Sequence, residues 1–473
     1  MENRQISLKH KAYLPILLFI TLAHVVADLT AQEKNQVLPF SEFVEKARVA
    51  GLRREGAYDY LRQLTAIGPR LTGSPQAAAA VELMRQTFTD LGLDLVALEP
   101  VSVQRWVRGA IHDARITQSA MPGTRALAIT ALGGSVPTPG AGLSAPVLQV
   151  GSFEELHKRG GEAKDKIVFY NKPMDRTYLD TFQAYGETGQ YRTQGAIEAA
   201  KEGALAVLVR SLTLRIDDFP HTGMLRYAPG VTRIPAAAIS TNDAEFLSHL
   251  LEKEPGLVIN LNLECEELPP VISANVFGQM TGVEKPKEII LLGAHLDSWD
   301  LGTGAHDDGA GCAQVLEALS LIKSLGLAPR RSVRGVLFMN EEFGGSGGRD
   351  YAAQENRKKE KHLAAMESDR GGFLPLGFSA GGNASVFNKL KTWEAYFKPL
   401  GLISGIRPGG GGVDIGPLAA RGACTIGLTT DSQRYFDVHH SALDVLSSVN
   451  PRELELGAIA MAALAYFLAQ EGI

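Results

Sequence analysis

Imidazole and carboxylate side chains recur in short clusters along the second half of this chain, and their types suit a divalent cation. His295 and Asp297 are followed by Asp307 and Asp308 within residues 293–312, Gly-Ala-His-Leu-Asp-Ser-Trp-Asp-Leu-Gly-Thr-Gly-Ala-His-Asp-Asp-Gly-Ala-Gly-Cys. Glu341 and Glu342 come next, then Glu367-Ser368-Asp369, and finally His439-His440-Ser441 with Asp444. Carboxylates gathered in one place repel one another and resist burial, so they need a cation to offset both costs. Imidazole and carboxylate donors suit a metal of the zinc type. Five ligands, one of them shared, would hold a pair of metals about 3.5–4 Å apart.

Each cluster must be carried on something stiff. The unbroken apolar run Glu288-Ile-Ile-Leu-Leu292 precedes His295 and reads as a buried strand of a parallel sheet. Val333-Arg-Gly-Val-Leu-Phe-Met339 reads as another strand and precedes the glutamate pair, and Leu363-Ala-Ala-Met366, a third candidate, precedes Asp369. In open α/β sheets, functional groups collect beyond the carboxyl ends of the strands. Residues 310–325, rich in Ala, Val and Leu, predict a helix packed on that sheet. Asn450-Pro451-Arg452-Glu453 predicts the start of a last helix, with a cap, proline at the first position and a reciprocating glutamate. Ser74-Pro75 opens another, whose Val81, Met84, Phe88 and Leu91 share a face up to a stop at Gly92. Strands alternating with helices predict an α/β fold, a doubly wound, mostly parallel sheet sandwiched by helices.

With 473 residues, 45% of them hydrophobic, the chain can bury a large core and predicts two domains. A net charge of -5 and a pI near 6.2 give no electrostatic case for a nucleic-acid partner. Cys265, Cys312 and Cys424 are too few and too scattered for a disulfide framework or a cysteine zinc site, and are expected to be buried thiols. Lys9 and Lys11 precede an apolar run over 12–27, interrupted by Pro15 and His24, with small residues at Ala27 and Ala31. That run is short for a spanning helix and reads as a signal peptide over residues 1–31, implying a secreted or periplasmic protein. An uncleaved N-terminal anchor is the alternative. No other segment reads as apolar enough to span a bilayer, so no stable membrane span is expected after cleavage.

Beyond the leader, residues 32–125 and 265–473 are expected to form the catalytic domain, with 126–264 inserted between them. The insert carries short β-like runs, Lys166-Ile-Val-Phe-Tyr170, Leu205-Ala-Val-Leu-Val209 and Val258-Ile-Asn-Leu-Asn262, with helical pieces over 196–202 and 243–252. It reads as a smaller β-rich module without the His, Asp and Glu density of residues 293–444. His221, beside Pro220, reads as a plain loop histidine. Pro269-Pro270 marks the return to the main domain.

With these residues in view, the chain resembles a known family. His295-x-Asp297, Gly304-x-x-Asp307-Asp308-Gly309, Asn340-Glu341-Glu342, Glu367-Ser368-Asp369 and His440-Ser441-x-x-Asp444 look like the motifs of the M28 co-catalytic zinc peptidases, and the likeness spans essentially the whole mature chain. Residues 126–264 are similar to the protease-associated domain inserted in several of these enzymes, through Asp165-Lys-Ile-Val168, the helix and strand over 195–209 and Ile234-Pro235-Ala236. The resemblance implies a zinc-exopeptidase type of catalytic domain with two Zn2+ per chain. Asp307 would bridge the metals; His295 and Asp369 would complete one site, Glu342 and His440 the other. Asp297 would orient His295 through its free ring nitrogen. Glu341 would be the general base, carrying a proton from a metal-bridging water to the leaving amine. The same resemblance suggests a strained peptide of the cis form after Asp307, and a homodimer.

Several neighbours of these motifs need placing. The spacing to Asp444 favours His440 as the ligand, leaving His439 to face the substrate, with the swapped assignment open. His306 should point away, and Asp300 and Asp308 should fix the loop. The glycine run over 409–412 predicts a specificity loop at the sheet edge, with Asp414 a candidate to meet a substrate's free α-amine. No Arg or Lys clamp for an α-carboxylate stands out. The sequence therefore favours a secreted aminopeptidase or dipeptidase acting on dipeptides and short peptides with a free N-terminus. A carboxypeptidase acting on C-terminal residues such as glutamate is an alternative that would need a basic residue from the insert or a partner subunit. A glutaminyl cyclase-like transferase would need one zinc, which the five-ligand set argues against. A catalytically silent binding protein on the same scaffold is the remaining alternative.

Overall fold

The computed structural model describes residues 37–120 and 123–473, so the expected leader over 1–31 lies outside the described residues. The chain builds two eight-stranded mixed sheets with helices packed on them. Strand β1 (Leu95–Val107) belongs to the first sheet. The second takes β2 (His112–Gln118), β3 (Arg125–Leu127), β4 (Ile129–Ala131), β5 (Leu143–Val150), β6 (Ile167–Tyr170), β7 (Ala206–Arg210), β8 (Ala236–Ile239) and β9 (Val258–Leu263). The chain then returns to the first sheet with β10 (Glu266–Met280), β11 (Lys285–His295), β12 (Arg331–Phe338), β13 (Lys361–Glu367), β14 (Pro375–Ala380), β15 (Gly405–Pro408) and β16 (Cys424–Thr430).

In the first sheet the order is β1-β10-β12-β11-β13-β16-β14-β15. Its centre, β12-β11-β13-β16, is parallel. The flanks are antiparallel where β1 meets β10, β10 meets β12 and β14 meets β16. The α/β class expected from the sequence holds, with a sheet more mixed than the mostly parallel one anticipated. The reason lies in the excursion to the second sheet: the chain leaves along β1 and comes back along β10, and the two pair with each other from Leu95↔Gln279 to Val107↔Glu266. β12 is buried along its whole length, as central strands are, with its Arg331 and Arg334 paired to Glu288 and Glu360.

Helices Ala310–Ser324 and Pro451–Glu471 pack on each other and on β11 and β12. The Asn450 side chain accepts from the N–H groups of Arg452 and Glu453, so the last helix starts where its cap predicts. By length and composition that helix could cross a membrane, contrary to the expectation that no segment after the leader is apolar enough. Inside the fold 89% of its apolar window is buried. A helix apolar on all sides belongs in a core. All three cysteines are buried and free.

The second sheet runs β3-β2-β9-β5-β6-β7-β8-β4, with β5 to β8 parallel. The boundary expected at residue 126 falls inside it, because β2 already pairs with β3 and β9. The crossing lies between Val107 and His112, where Gly109 takes φ +77° and lies against Glu264 on the returning segment. The alternation of polar and apolar residues in β2 gave no hint of the change of sheet. The core under this sheet also takes in Leu71, Trp106, Trp299 and Phe343 from outside it. Trp299 seats against Gly133, where an added Cβ would fall 1.9 Å from the indole ring.

One buried cation braces the loop beyond β11. Arg70 is 0% exposed and donates to the main-chain oxygens of Leu296 (2.8 Å), Thr303 (2.6 Å) and Gly304 (3.0 Å). Arg70→Leu takes the guanidinium from all three carbonyls, of which that of Gly304 keeps the N–H of Gly309 as a donor. Its unfolding free energy should fall by on the order of 3 kcal/mol, read from the denaturant midpoint; an unshifted midpoint would show that the loop holds without this brace.

Candidate active site

The carboxyl ends of β12, β11 and β13 lie side by side, since β11 pairs in parallel with both neighbours. His295 ends β11, Asn340-Glu341-Glu342 follows β12, and Ser368-Asp369 follows β13. Behind His295 the chain turns tightly through Gly304 (φ +58°) and a cis peptide between Asp307 and Asp308. The Asp308 carboxylate pins this turn to the strand end by accepting from the N–H groups of His295 and Gly311, each at 3.0 Å. Asp444 brings in the final loop, accepting from the N–H groups of His306 (2.6 Å) and Asp307 (3.1 Å). Asn340 (φ +73°) and His440 (φ +59°) take left-handed backbone, which costs about 1–2 kcal/mol per residue and is kept where the surroundings over-determine it.

The five residues picked out by their motifs converge on Asp307. Its Oδ1 lies 3.1 Å from His295 Nε2 and its Oδ2 lies 3.1 Å from His440 Nε2. Asp369 Oδ1 is 3.5 Å from His295 Nε2, and Glu342 Oε2 is 3.2 Å from His440 Nε2. The contacts form two groups with Asp307 common to both. Asp307, Glu342 and His440 also line a void of about 10 Å³, and Glu342 Oε1 is buried without a partner among the described residues. Imidazole nitrogens and carboxylate oxygens packed this way, with an orphaned buried oxygen among them, fit zinc ions. His439 lies close by, its Nε2 3.4 Å from Asp307 Oδ2 and its ring stacked on that of His440 at 3.5 Å. Asp308 is near His295 and Asp369, but its oxygens are already engaged by main-chain donors.

Both histidines are aimed by main-chain carbonyls. His295 Nδ1 donates to the backbone oxygen of Asp297 at 3.0 Å, and His440 Nδ1 to that of Thr222 at 3.2 Å. With the proton on Nδ1, each Nε2 is free to coordinate. The orienting contact expected of Asp297 is therefore made by its backbone; its carboxylate lies 3.9 Å from His295 Nδ1. That carboxylate instead accepts from the N–H groups of Asn340 (2.7 Å) and Glu341 (3.1 Å), fixing the glutamate turn. Burial would raise the Asp307 carboxyl, but the His295 and His440 imidazoles beside it outweigh that and hold it well below the usual carboxylate range. For Glu341, burial dominates over the opposing charge of His295 and pushes its carboxyl well above that range.

Beside this cage opens a cleft of about 440 Å³ between the two sheets. Glu341, Asp369 and His439 line it from one side, and Tyr185, Arg192 and Arg226 from the other. Asp414 is elsewhere. It is 1% exposed, neither of its oxygens has a partner among the described residues, and burial lifts its carboxyl to about 7. The expected contact between Asp414 and a substrate amine is not made, because the glycine run packs inward. A Cβ on Gly412 would lie 1.9 Å from Glu367 Oε1, and the N–H of Ile415 donates to Glu367 Oε2 at 3.0 Å. His306 points away from the cage, accepting from the N–H of Gly372 (3.1 Å) and stacking on Phe373. Asp300 pairs with Arg108. Sequence reasoning missed Arg192, Arg226 and Thr222; no local motif marks them, and their role depends on how the insert docks.

Comparison with known proteins gives this geometry a setting. The model for "Peptidase family M28" matches residues 275–465. Carboxypeptidase Q of Homo sapiens is 38% identical over 422 residues, covering 89% of this chain and 87% of that protein. A crystal structure of a peptidase M28 precursor from Shewanella amazonensis SB2B is 37% identical, with a TM-score of 0.87, covering 92% of this chain and 97% of that one. A zinc aminopeptidase from Bacillus subtilis shares the fold at 21% identity and a TM-score of 0.63, covering 88% of this chain and 96% of that one.

Trp299 donates its indole N–H to Glu342 Oε2. Trp299→Phe keeps a ring in the seat at Gly133 and removes that bond. Zinc affinity should fall about tenfold or more in equilibrium dialysis while the far-UV CD spectrum stays unchanged; undiminished affinity would reduce Trp299 to a space-filling role.

Proposed function

This chain belongs to peptidase family M28, and on that premise we propose that it is a two-zinc exopeptidase hydrolysing dipeptides and short peptides. The observation that carries the reading is one carboxylate, Asp307, held between His295 and His440, with Asp369 and Glu342 completing the two groups and Glu341 beside them in the cleft. In this reading, His295, Asp307 and Asp369 would hold one zinc, and His440, Asp307 and Glu342 the other. Bound zinc supplies Lewis-acid polarisation of the scissile carbonyl and makes water acidic enough to react near neutral pH.

The chain's own residues do the rest. A carboxylate oxygen of Glu341 takes a proton from the attacking water as the C–O bond forms. The same carboxyl returns it to the peptide nitrogen as the C–N bond breaks, so each turnover leaves Glu341 as it began. Asp297 keeps Glu341 pointed at the cleft through the two N–H bonds it accepts. His439 faces the substrate from beside the cage. A cleft of about 440 Å³ is of the size that holds a small ligand and suits short peptides over folded chains. Residues 126–264, with the strand that precedes them, are read as a protease-associated-like insert walling that cleft. Export is proposed on the composition of residues 1–31 alone.

Glu341→Gln tests the reading. The zinc-loaded variant should keep its metal content and lose about 100-fold to 10,000-fold in kcat on an unblocked dipeptide. A variant that still turns over at the wild-type rate would remove Glu341 from the base role.

A further inference from the structure

Two cations on the far wall of the cleft have no acidic partner among the described residues. Arg192 projects from helix Thr181–Lys201. Its Nη1 lies 3.5 Å from both the Thr222 backbone oxygen and His440 Nδ1. Because His440 Nδ1 carries the proton given to Thr222, it cannot accept from the arginine, and the remaining bond to the carbonyl is long. The Arg192 Nε is buried with no partner among the described residues. Gly223 (φ +135°) makes room for the group, since a Cβ there would sit 2.5 Å from Arg192 Nη1. The Arg226 main-chain N–H is tied to the Thr193 oxygen at 2.9 Å, which sets it beside Arg192. Its exposed side chain forms no hydrogen bond or ion pair among the described residues.

We propose that Arg192 and Arg226 bind the free C-terminal α-carboxylate of the substrate, so that the leaving group is a single amino acid. The proposal rests on the zinc-exopeptidase reading and deepens it. A guanidinium is a planar fork matched to a carboxylate, and in a partly desolvated wall it needs such a partner. The other charges in the cleft, Asp307, Glu341, Glu342 and Asp369, are engaged by metal binding or proton transfer. They leave no spare carboxylate for a substrate amine. Arg192 stands one imidazole ring away from the cage, across His440. Successive residues of a peptide are about 3.8 Å apart, so the carboxylate one residue beyond the scissile bond is the anion within reach. This reverses the preference for a free N-terminus, which came from finding no basic clamp in the sequence; the clamp comes from the insert.

The test uses the full-length, zinc-loaded protein with Ala-Leu, N-acetyl-Ala-Leu, Ala-leucinamide and Ala-glutamic acid α-amide. Wild type should hydrolyse Ala-Leu with a kcat/KM at least about tenfold above that for Ala-leucinamide. Arg226→Gln should lose about tenfold to a hundredfold on Ala-Leu, mainly through KM, with no change on the amide. Arg192→Lys should lose less on Ala-Leu than Arg192→Gln, as a point charge replaces the fork. Equal wild-type rates on acid and amide, or equal losses on both, would overturn the proposal while leaving the peptidase reading intact. Ala-glutamic acid α-amide cleaved as well as Ala-Leu would overturn the assignment to the main-chain carboxylate. No zinc-dependent hydrolysis of any of the four would sink the peptidase reading itself, and the proposal with it.

Discussion

Burying so many carboxylates around one strand end is the constraint on which the rest of this structure depends. Asp307 is 5% exposed, Glu342 7%, and Asp297 and Asp308 are fully buried, with two imidazoles as their nearest counterweight. Anions withdrawn from water at this density are strongly unfavourable unless positive charge is supplied or every oxygen is given a donor. The chain does both, and divides the work. Asp297, Asp308 and Asp444 accept from main-chain N–H groups and shape the loops, although Asp297 Oδ2 has no partner among the described residues. Asp307, Glu342 and Asp369 are left to gather round His295 and His440, where the proposed zinc ions would complete them.

The inserted unit is part of this arrangement and more than a neighbour to it. Thr222 receives the proton of His440 Nδ1, and its own N–H donates to the His440 carbonyl at 2.9 Å. A reciprocal pair of that kind fixes both the ring and the left-handed backbone beneath it. Trp299 does the same from the opposite direction, lying in the insert's core while bonded to Glu342. Arg108 adds a third tie, pairing with Asp300 (2.9 Å) and donating to Thr130 (2.9 Å) across the junction. The group of Asp307, Glu342 and His440 is therefore shaped largely by a unit whose own sequence contributes none of its members.

How much the sequence disclosed depends on the range over which its signals act. Strand, turn and ligand sit next to one another in the chain at His295, Glu341 and Asp369, so local pattern and residue type located the cage and the parallel centre of the sheet. The cap at Asn450 and the helix begun at Ser74 were legible for the same reason. Features set by docking were not. The insert begins before His112, where a short turn at Gly109 between two ordinary strands carries the chain across, and the pairing of β1 with β10 that closes the excursion joins residues far apart in sequence. Asp414 looked available because glycines suggest a loose loop, yet Gly412 packs against Glu367 and draws the loop inward. His221, read as a plain loop residue, is 2% exposed, its backbone N–H held by Ser211 at 2.9 Å. Arg192 and Arg226 carry no motif at all, since what they face is assembled from the other domain.

The seating of Trp299 against Gly133 has a consequence for how the protein can be dissected. The indole packs against a glycine that has no room for a side chain, and its N–H reaches a carboxylate of the cage. Cutting out the excursion between β1 and β10 would therefore not yield a smaller working catalytic core. It would strip an aromatic plug of its socket, leave His440 without its carbonyl acceptor, and open the carboxylates to bulk water. The two folded halves constitute one machine, and shuffling in a foreign insert would require the newcomer to bring both a cradle for the indole and a carbonyl at the place of Thr222.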